Sequence, residues 1–162
     1  MLNIKEKTCC FTGHRIIPVG QQPTLEKKLE DKIEKLIHNG IIYFGAGGAL
    51  GFDTLAALSV LELKSKYPQI KLILVLPCEE QADKWNDDDI KRYKGILGKA
   101  DKVKYTSAHY TRDCMHIRNR HLVDHSGYCI CYLIRGTGGT DFTVRYAVRS
   151  GLQIINIADM IM

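Results

Sequence analysis

Short apolar runs of strand character alternate with helix-patterned segments along this chain, and that alternation constrains the fold more than any other feature. Residues 8–11 form a strand that ends in Thr12-Gly13-His14-Arg15. Pro23 and Thr24 start a helix with Leu25, Leu29, Ile33, Leu36 and Ile37 on one face. Asp31 and Lys35 form an i,i+4 pair on its other face, and Asn39-Gly40 stops it. Residues 41–44 are the second strand, followed by a glycine-rich stretch and a helix through Leu55, Ala56, Leu58, Leu61 and Leu63 that Pro68 terminates. Residues 70–76 are apolar without a break after Lys71, as in a strand covered on both faces.

The alternation continues. A loop or short helix after Pro77 reaches Trp85, and Asp87-Asp88-Asp89 places acids at the favourable end of a helix near 90–97. A weaker strand at 101–105 precedes a helix carrying Arg118. The apolar strand 128–134, a glycine loop opening a helix to Ser150, and a last strand at 153–157 complete the order. Strands alternating with helices imply parallel pairing and right-handed crossovers. The expected architecture is α/β: a single Rossmann-like, doubly wound sheet, mostly parallel, of about six strands with helices on both faces. A length of 162 residues suits one domain, 1–162, with a full core.

Composition excludes several function classes. The net charge of +5 suits an anionic ligand, but no lysine- or arginine-rich run concentrates it, which argues against nucleic acid as the partner. No secretory leader pattern and no apolar stretch of about 18 residues is present, so the expected location is cytoplasmic, with no membrane partner. Six cysteines stand at 9, 10, 78, 114, 129 and 131. Cys129 and Cys131 share one side of a strand, and together with Cys9 and Cys10 they read as buried reduced thiols rather than zinc ligands. His121 and His125 are i,i+4 on a helix with no evident third ligand, so no metal is expected. No other cofactor is implied.

In a doubly wound sheet, ligands bind beyond the carboxyl ends of the strands. That rule selects the loops 12–15, 45–53, 77–85 and 135–141. Gly13 permits a sharp turn or a close ligand approach, His14 is a possible donor, and Arg15 is a bidentate cation for phosphate or carboxylate. Gly47, Gly48 and Gly51 belong to a loop that is neither a Walker loop nor a clean GxGxxG. Asp53 either caps the following helix or accepts from a ribose hydroxyl. Gln81 and Trp85 follow the third strand, and the indole either stacks on a base or packs its helix. The loop Gly136, Thr137, Gly138, Gly139, Thr140 after a buried strand offers backbone N–H groups and a helix N-terminus to an anion.

Phe11-Thr12-Gly13-His14-Arg15, the run from Gly47 to Asp53, Leu76-Pro77 with Gln81 and Trp85, and the loop 135–140 occur in order across almost the whole chain. In these residues the chain resembles the SLOG superfamily, which joins the DNA-processing protein A (Smf) domains with LOG-type phosphoribohydrolases. The branch it is most similar to is the YpsA-like one, a bacterial group. The resemblance implies a Rossmann-like fold binding nucleotides or nucleotide-derived ligands, and a homo-oligomer such as a dimer. LOG enzymes carry Met-His-x-Arg-Lys and then Gly-Gly-x-Gly-Thr-x-x-Glu. Here Met115-His116-Ile117-Arg118-Asn119 puts Arg118 on their catalytic arginine, but Thr143 stands at the glutamate position.

The leading expectation is therefore a nucleotide-ligand-binding sensor or regulator. Phosphate would lie on 136–140, Arg15 and Arg118 would neutralise it, Asp53 would meet the ribose and Trp85 would shield the base. One alternative is a nucleotide hydrolase using a displaced carboxylate, Asp53, Asp141 or Glu79, with Arg118 as a further catalytic candidate. A further alternative is a single-stranded DNA-binding module.

Overall fold

The structure is a computed structural model that describes residues 3–161. Its centre is one six-stranded, all-parallel sheet: β1 (Thr8–Gly13), β2 (Tyr43–Ala46), β3 (Lys71–Leu76), β4 (Lys102–Tyr105), β5 (Tyr128–Tyr132) and β6 (Gln153–Asn156), in the spatial order β4-β3-β2-β1-β5-β6. The helices are α1 (Gln22–His38), α2 (Phe52–Lys64), α3 (Asp87–Lys99), α4 (Cys114–Asp124) and α5 (Gly139–Arg149). From β1 to β4 the chain steps outward in one direction. It then returns to lay β5 on the other side of β1, and β6 outside it. The strand order therefore reverses between β1 and β5, and this is the position at which an open α/β sheet leaves a crevice.

Two apolar layers follow from the reversal. Leu25, Leu29 and Ile33 of α1, Phe52, Ala56 and Val60 of α2, and Ile96 of α3 cover one face of the sheet. Leu122 and Val123 of α4, with Val144 and Ala147 of α5, cover the other. Cys129 and Cys131 both face this second layer together with Cys10, as their spacing predicts, while Cys9 faces the first. All six cysteines are buried free thiols.

Boundaries differ from the sequence expectation: β1 runs on to Gly13 and α3 spans Asp87–Lys99, and the shifts in β2 and β5 have a cause in the backbone hydrogen bonds. β2 begins at Tyr43 because the N–H of Ile41 still closes the end of α1 on the Leu36 carbonyl (3.0 Å). It then runs through Gly45 and Ala46, so Gly45 is a sheet residue pressed against Leu122 rather than part of the loop. β5 ends at Tyr132 because side chains take over from the ladder. Leu133 N–H donates to Asn156 Oδ1 (3.1 Å), and Ile134 N–H donates to His14 Nε2 (3.0 Å). On α1 the ion pair formed is Lys27–Asp31 (3.3 Å), not Asp31 with Lys35. Among the described residues, no helix is long and apolar enough to cross a membrane.

Candidate functional site

A cleft of about 410 Å³ opens beyond the ends of β1 and β5. The end of β1 and its loop contribute Thr12, Gly13, His14, Arg15 and Ile16. Ala49 and Asp53 come from the start of α2, Met115, Arg118 and Asn119 from α4, and Arg135 and residues 137–140 from the loop that opens α5. Three of the four loops selected by the strand-end rule thus meet at the reversal point. A larger groove between α2 and α3 is lined by Leu58, Glu62, Lys64, Arg92 and Lys99. It lies away from the strand ends, and its charges are of both signs.

Packing fixes the inner wall. Phe52, fully buried, stacks on Tyr132 (6.1 Å between ring centres) and meets Phe11 edge-on (6.4 Å). Its N–H donates to the His14 carbonyl (3.1 Å), which ties the start of α2 to the β1 loop and delivers Asp53 to the cleft. Gly51, just before it, has φ +76°, and a Cβ there would stand 2.6 Å from Arg15 Cα. The position therefore takes only glycine without strain.

Arg118 is 4% exposed. Its Nη1 donates to the Gly47 carbonyl, its Nε donates to Asn119 Oδ1 (2.7 Å), and its Nη2 faces Met115 Sδ at 3.6 Å. Burial pushes its pKa down, against the pull of Asp53. Asp53 is 6% exposed and accepts from Ala49 N–H at a long 3.4 Å. Burial pushes its pKa up, while Arg118, that N–H and Arg15 pull the other way. It lies in the first turn of α2 but is not its cap, which is Gly51.

His14 is buried, and its Nε2 accepts from Ile134, which leaves the proton on Nδ1. Burial and then Arg135 push its pKa down. The ring is thus a brace between the β1 and β5 loops that shows one side to the cleft. At the outer end, α5 begins behind Gly138 with no side-chain cap, so no capping side chain satisfies its first backbone N–H groups. Thr137, Gly138 and Gly139 are exposed, as is Gly136, which flanks the cleft. Arg15, Arg118 and Arg135 all line the cleft, and Asp53 is the one carboxylate among its lining residues.

Several expected residues stand elsewhere. Gly47 and Gly48 form the wall behind Arg118, and Gln81 braces that wall: its Nε2 donates to the Gly47 carbonyl and to Tyr93 Oη, both at 3.4 Å. Trp85 lies edge-on to Tyr93 (5.2 Å) in a crevice between α2 and α3, so the indole packs a helix and does not reach the cleft. Asp141 is tied to Arg145 (2.9 Å) along α5, and neither it nor Glu79 lines the cleft. The Thr143 hydroxyl donates back to the Gly139 carbonyl (2.8 Å) and is buried. His121 and His125 stack on each other (4.1 Å). Among the described residues, no group of three or more His, Cys, Asp or Glu could hold a metal ion. Sequence reasoning passed over Ile16, because an isoleucine reads as core, and here it is 81% exposed at the mouth. Arg135 lies within the loop 135–141 that the strand-end rule selects, but the sequence assigns it no role of its own.

The YpsA family model, described as the YspA SLOG family, matches residues 18–150. The chain belongs to this family. Among relatives of this SLOG chain, the uncharacterized SPbeta prophage-derived protein YoqJ of Bacillus subtilis is 34% identical over 149 residues, covering 82% of this chain and 86% of that protein. A UPF0398 protein of Bacillus pumilus is 30% identical over 105 residues, covering 60% of this chain and 56% of the relative. One from Halalkalibacterium halodurans is 33% identical over 111 residues, covering 67% and 59%. The chain thus spans a little over half the length of these UPF0398 relatives.

Two solved structures of DNA processing protein A share the fold. The Streptococcus pneumoniae protein has a TM-score of 0.66 at 18% identity, over 93% of this chain and 50% of that one. The Helicobacter pylori protein, described for its single-stranded DNA binding mode, has a TM-score of 0.53 at 17% identity, over 95% and 78%. The resemblance to the SLOG superfamily, its YpsA-like branch and its DNA-processing members is thereby confirmed, and so is the doubly wound parallel sheet.

Proposed function

We propose that the cleft binds a nucleotide or nucleotide-derived ligand through its phosphate, and that the protein is a binding domain of sensor or regulator type. The observation that carries this reading is convergence. An uncapped helix N-terminus and three guanidinium groups, opposed by one carboxylate, meet in one cleft at the strand reversal. Backbone N–H groups at a helix start and arginine forks are both complementary to phosphate oxygens. Binding is favoured over LOG-type hydrolysis because the Thr143 hydroxyl is turned back on Gly139 and Asp141 is held by Arg145. Asp53 is the single carboxylate among the cleft residues.

Calorimetry with inorganic pyrophosphate and a panel of nucleoside mono- and diphosphates tests the reading. Arg135 is exposed, so Arg135→Ala leaves the fold intact. It should weaken binding about tenfold or more, the worth of one charge-assisted hydrogen bond. Absence of binding to every compound would refute the proposal.

A second reading is single-stranded DNA, supported by the likeness to the Helicobacter pylori protein and by the open, arginine-lined mouth of the cleft. On that footing, the expectation from charge distribution that nucleic acid is not a partner is set aside. The two readings separate in a titration. Oligonucleotide binding whose affinity falls steeply with salt, without binding of free nucleotides, would favour DNA.

A further inference from the structure

Asp53 and Arg118 share the inner end of the cleft without touching. Asp53 Oδ2 lies 2.9 Å, and Arg118 Cζ 2.7 Å, from the point at which a Cβ on residue 47 would stand, so the two side chains face each other across the bare Gly47 backbone. No Arg118 nitrogen comes within 4.0 Å of an Asp53 oxygen. That separation is too wide for an ion pair and right for one interposed oxygen, since two hydrogen bonds of about 2.8 Å in series reach at most about 5.6 Å.

Both flanks have capacity left. Arg118 Nη2 has only the Met115 sulfur, a weak acceptor, and Asp53 accepts from backbone N–H groups alone, that of Ala49 at a long 3.4 Å and that of Gly47, which leaves carboxylate lone pairs free. The group that satisfies both must donate to the carboxylate and accept from the guanidinium. A phosphate or carbonyl oxygen serves Arg118 but meets Asp53 lone pair to lone pair. An N–H serves only Asp53. A hydroxyl serves both.

We infer that Asp53 and Arg118 together read a sugar hydroxyl, and that the ligand is a free nucleotide with an unesterified hydroxyl on its ribose. This rests on the nucleotide reading above and narrows it. An internal nucleotide of a DNA strand has no 2′-hydroxyl, and its 3′-oxygen is esterified, so it offers nothing to this pair. The raised pKa of Asp53 agrees, because a donated hydroxyl hydrogen would relieve a carboxylate that burial disfavours.

The test is calorimetry of the full chain with ADP, 2′-deoxy-ADP, 3′-deoxy-ADP and 2′,3′-dideoxy-ADP, repeated with the uridine series so that the base does not decide the result. Inorganic pyrophosphate is the phosphate-only control. The ribonucleoside diphosphates should bind about 10- to 100-fold more tightly than their dideoxy forms, since the loss strands a buried charged group. The monodeoxy forms then identify which hydroxyl is read. In Asp53→Asn the ratio should shrink to less than about fivefold. Equal affinity of ribo and dideoxy forms in the wild-type protein overturns this inference and leaves phosphate binding standing. Absence of binding to every diphosphate and to pyrophosphate overturns the nucleotide reading, and this inference with it.

Discussion

Removing Arg118 isolates a buried carboxylate, and the size of the effect follows from the site. In Arg118→Ala, Asp53 loses the cation that most favours its charged form, and the Gly47 carbonyl keeps only the long bond from Gln81 (3.4 Å). At a separation of about 5 Å and an effective dielectric of about 20, opposite unit charges attract by about 3 kcal/mol. The two side chains are not in contact, so the loss lies at the lower end of the roughly 3–5 kcal/mol that deleting one partner of a contacting buried pair costs. Protonation bounds the loss, because a stranded carboxylate takes up a proton rather than remain charged. A carboxyl whose folded pKa lies above its unfolded value binds more proton in the native state, so its contribution to stability falls as pH rises through the folded pKa. The Asp53 pKa is already raised, and losing Arg118 raises it further. The variant should therefore be about 3 kcal/mol less stable than wild type near pH 8, and about 1 to 2 kcal/mol less near pH 5. Urea unfolding followed through Trp85 fluorescence at both pH values measures it. Other titrating groups, His14 included, are common to both proteins and cancel in the difference. In an Asp53→Asn background, Arg118→Ala should cost at least about 1 kcal/mol less at pH 8, with no pH dependence. Equal losses at both pH values, together with additive mutations, would refute the reasoning.

Gly51→Ala should cost about 2–4 kcal/mol in the same unfolding assay, from a left-handed backbone (φ +76°) and an overlap with the rigid Arg15 backbone; a loss under about 0.5 kcal/mol would show that the loop relaxes freely. The depressed pKa of His14 sets an opposite trend to Asp53: its contribution is full above the unfolded histidine value of about 6.5 and is lost as pH falls through the lower folded pKa. Imidazole nitrogen spectra at pH 7 should show the proton on Nδ1, and a ring protonated on Nε2 would contradict the bond from Ile134.

The fold was legible because its signal is repetitive. An unbroken apolar run at 70–76 demands cover on both faces, the spacing Leu25, Leu29, Ile33 demands a helix, and alternation of the two leaves few topologies. The errors fall where backbone hydrogen bonds, not side-chain pattern, set the boundary. Ile41 has strand character but spends its N–H on α1, and Leu133 and Ile134 read as strand but spend theirs on Asn156 and His14. The site was legible to the extent that strand ends and glycines mark it. Which loops converge was not legible, because that depends on strand order. β3 lies two places from β1, so its loop reaches the wall behind Gly47, and Gln81 and Trp85 remain outside the cleft. Asp141 stands two residues before Thr143, a spacing that turns it elsewhere on the helix start, and it pairs with Arg145 along the helix.

The cleft is built unevenly, and this separates what its residues do. Its inner end is held by bonds that cross between elements: Arg118 to Gly47, Phe52 to His14, and Ile134 to the His14 ring. Residues 52 and 118 belong to helices on opposite faces of the sheet, so these bonds fasten the two layers to each other at the one place where the strand order leaves them uncovered. The outer end has no such fastening. Cβ atoms added at Gly136 or Gly139, neither of which has a positive φ, would meet nothing within 4 Å. A change at the inner end therefore alters the native state before any ligand arrives, and appears first as stability. A change at Arg135, Gly136 or Gly139 leaves the folded chain as it was, and appears only in the free energy of binding, where the helix N-terminus and Arg135 are free to close on an anion. The inner end thus has the rigidity that discrimination between ligands requires, while the outer end supplies attraction common to any phosphate.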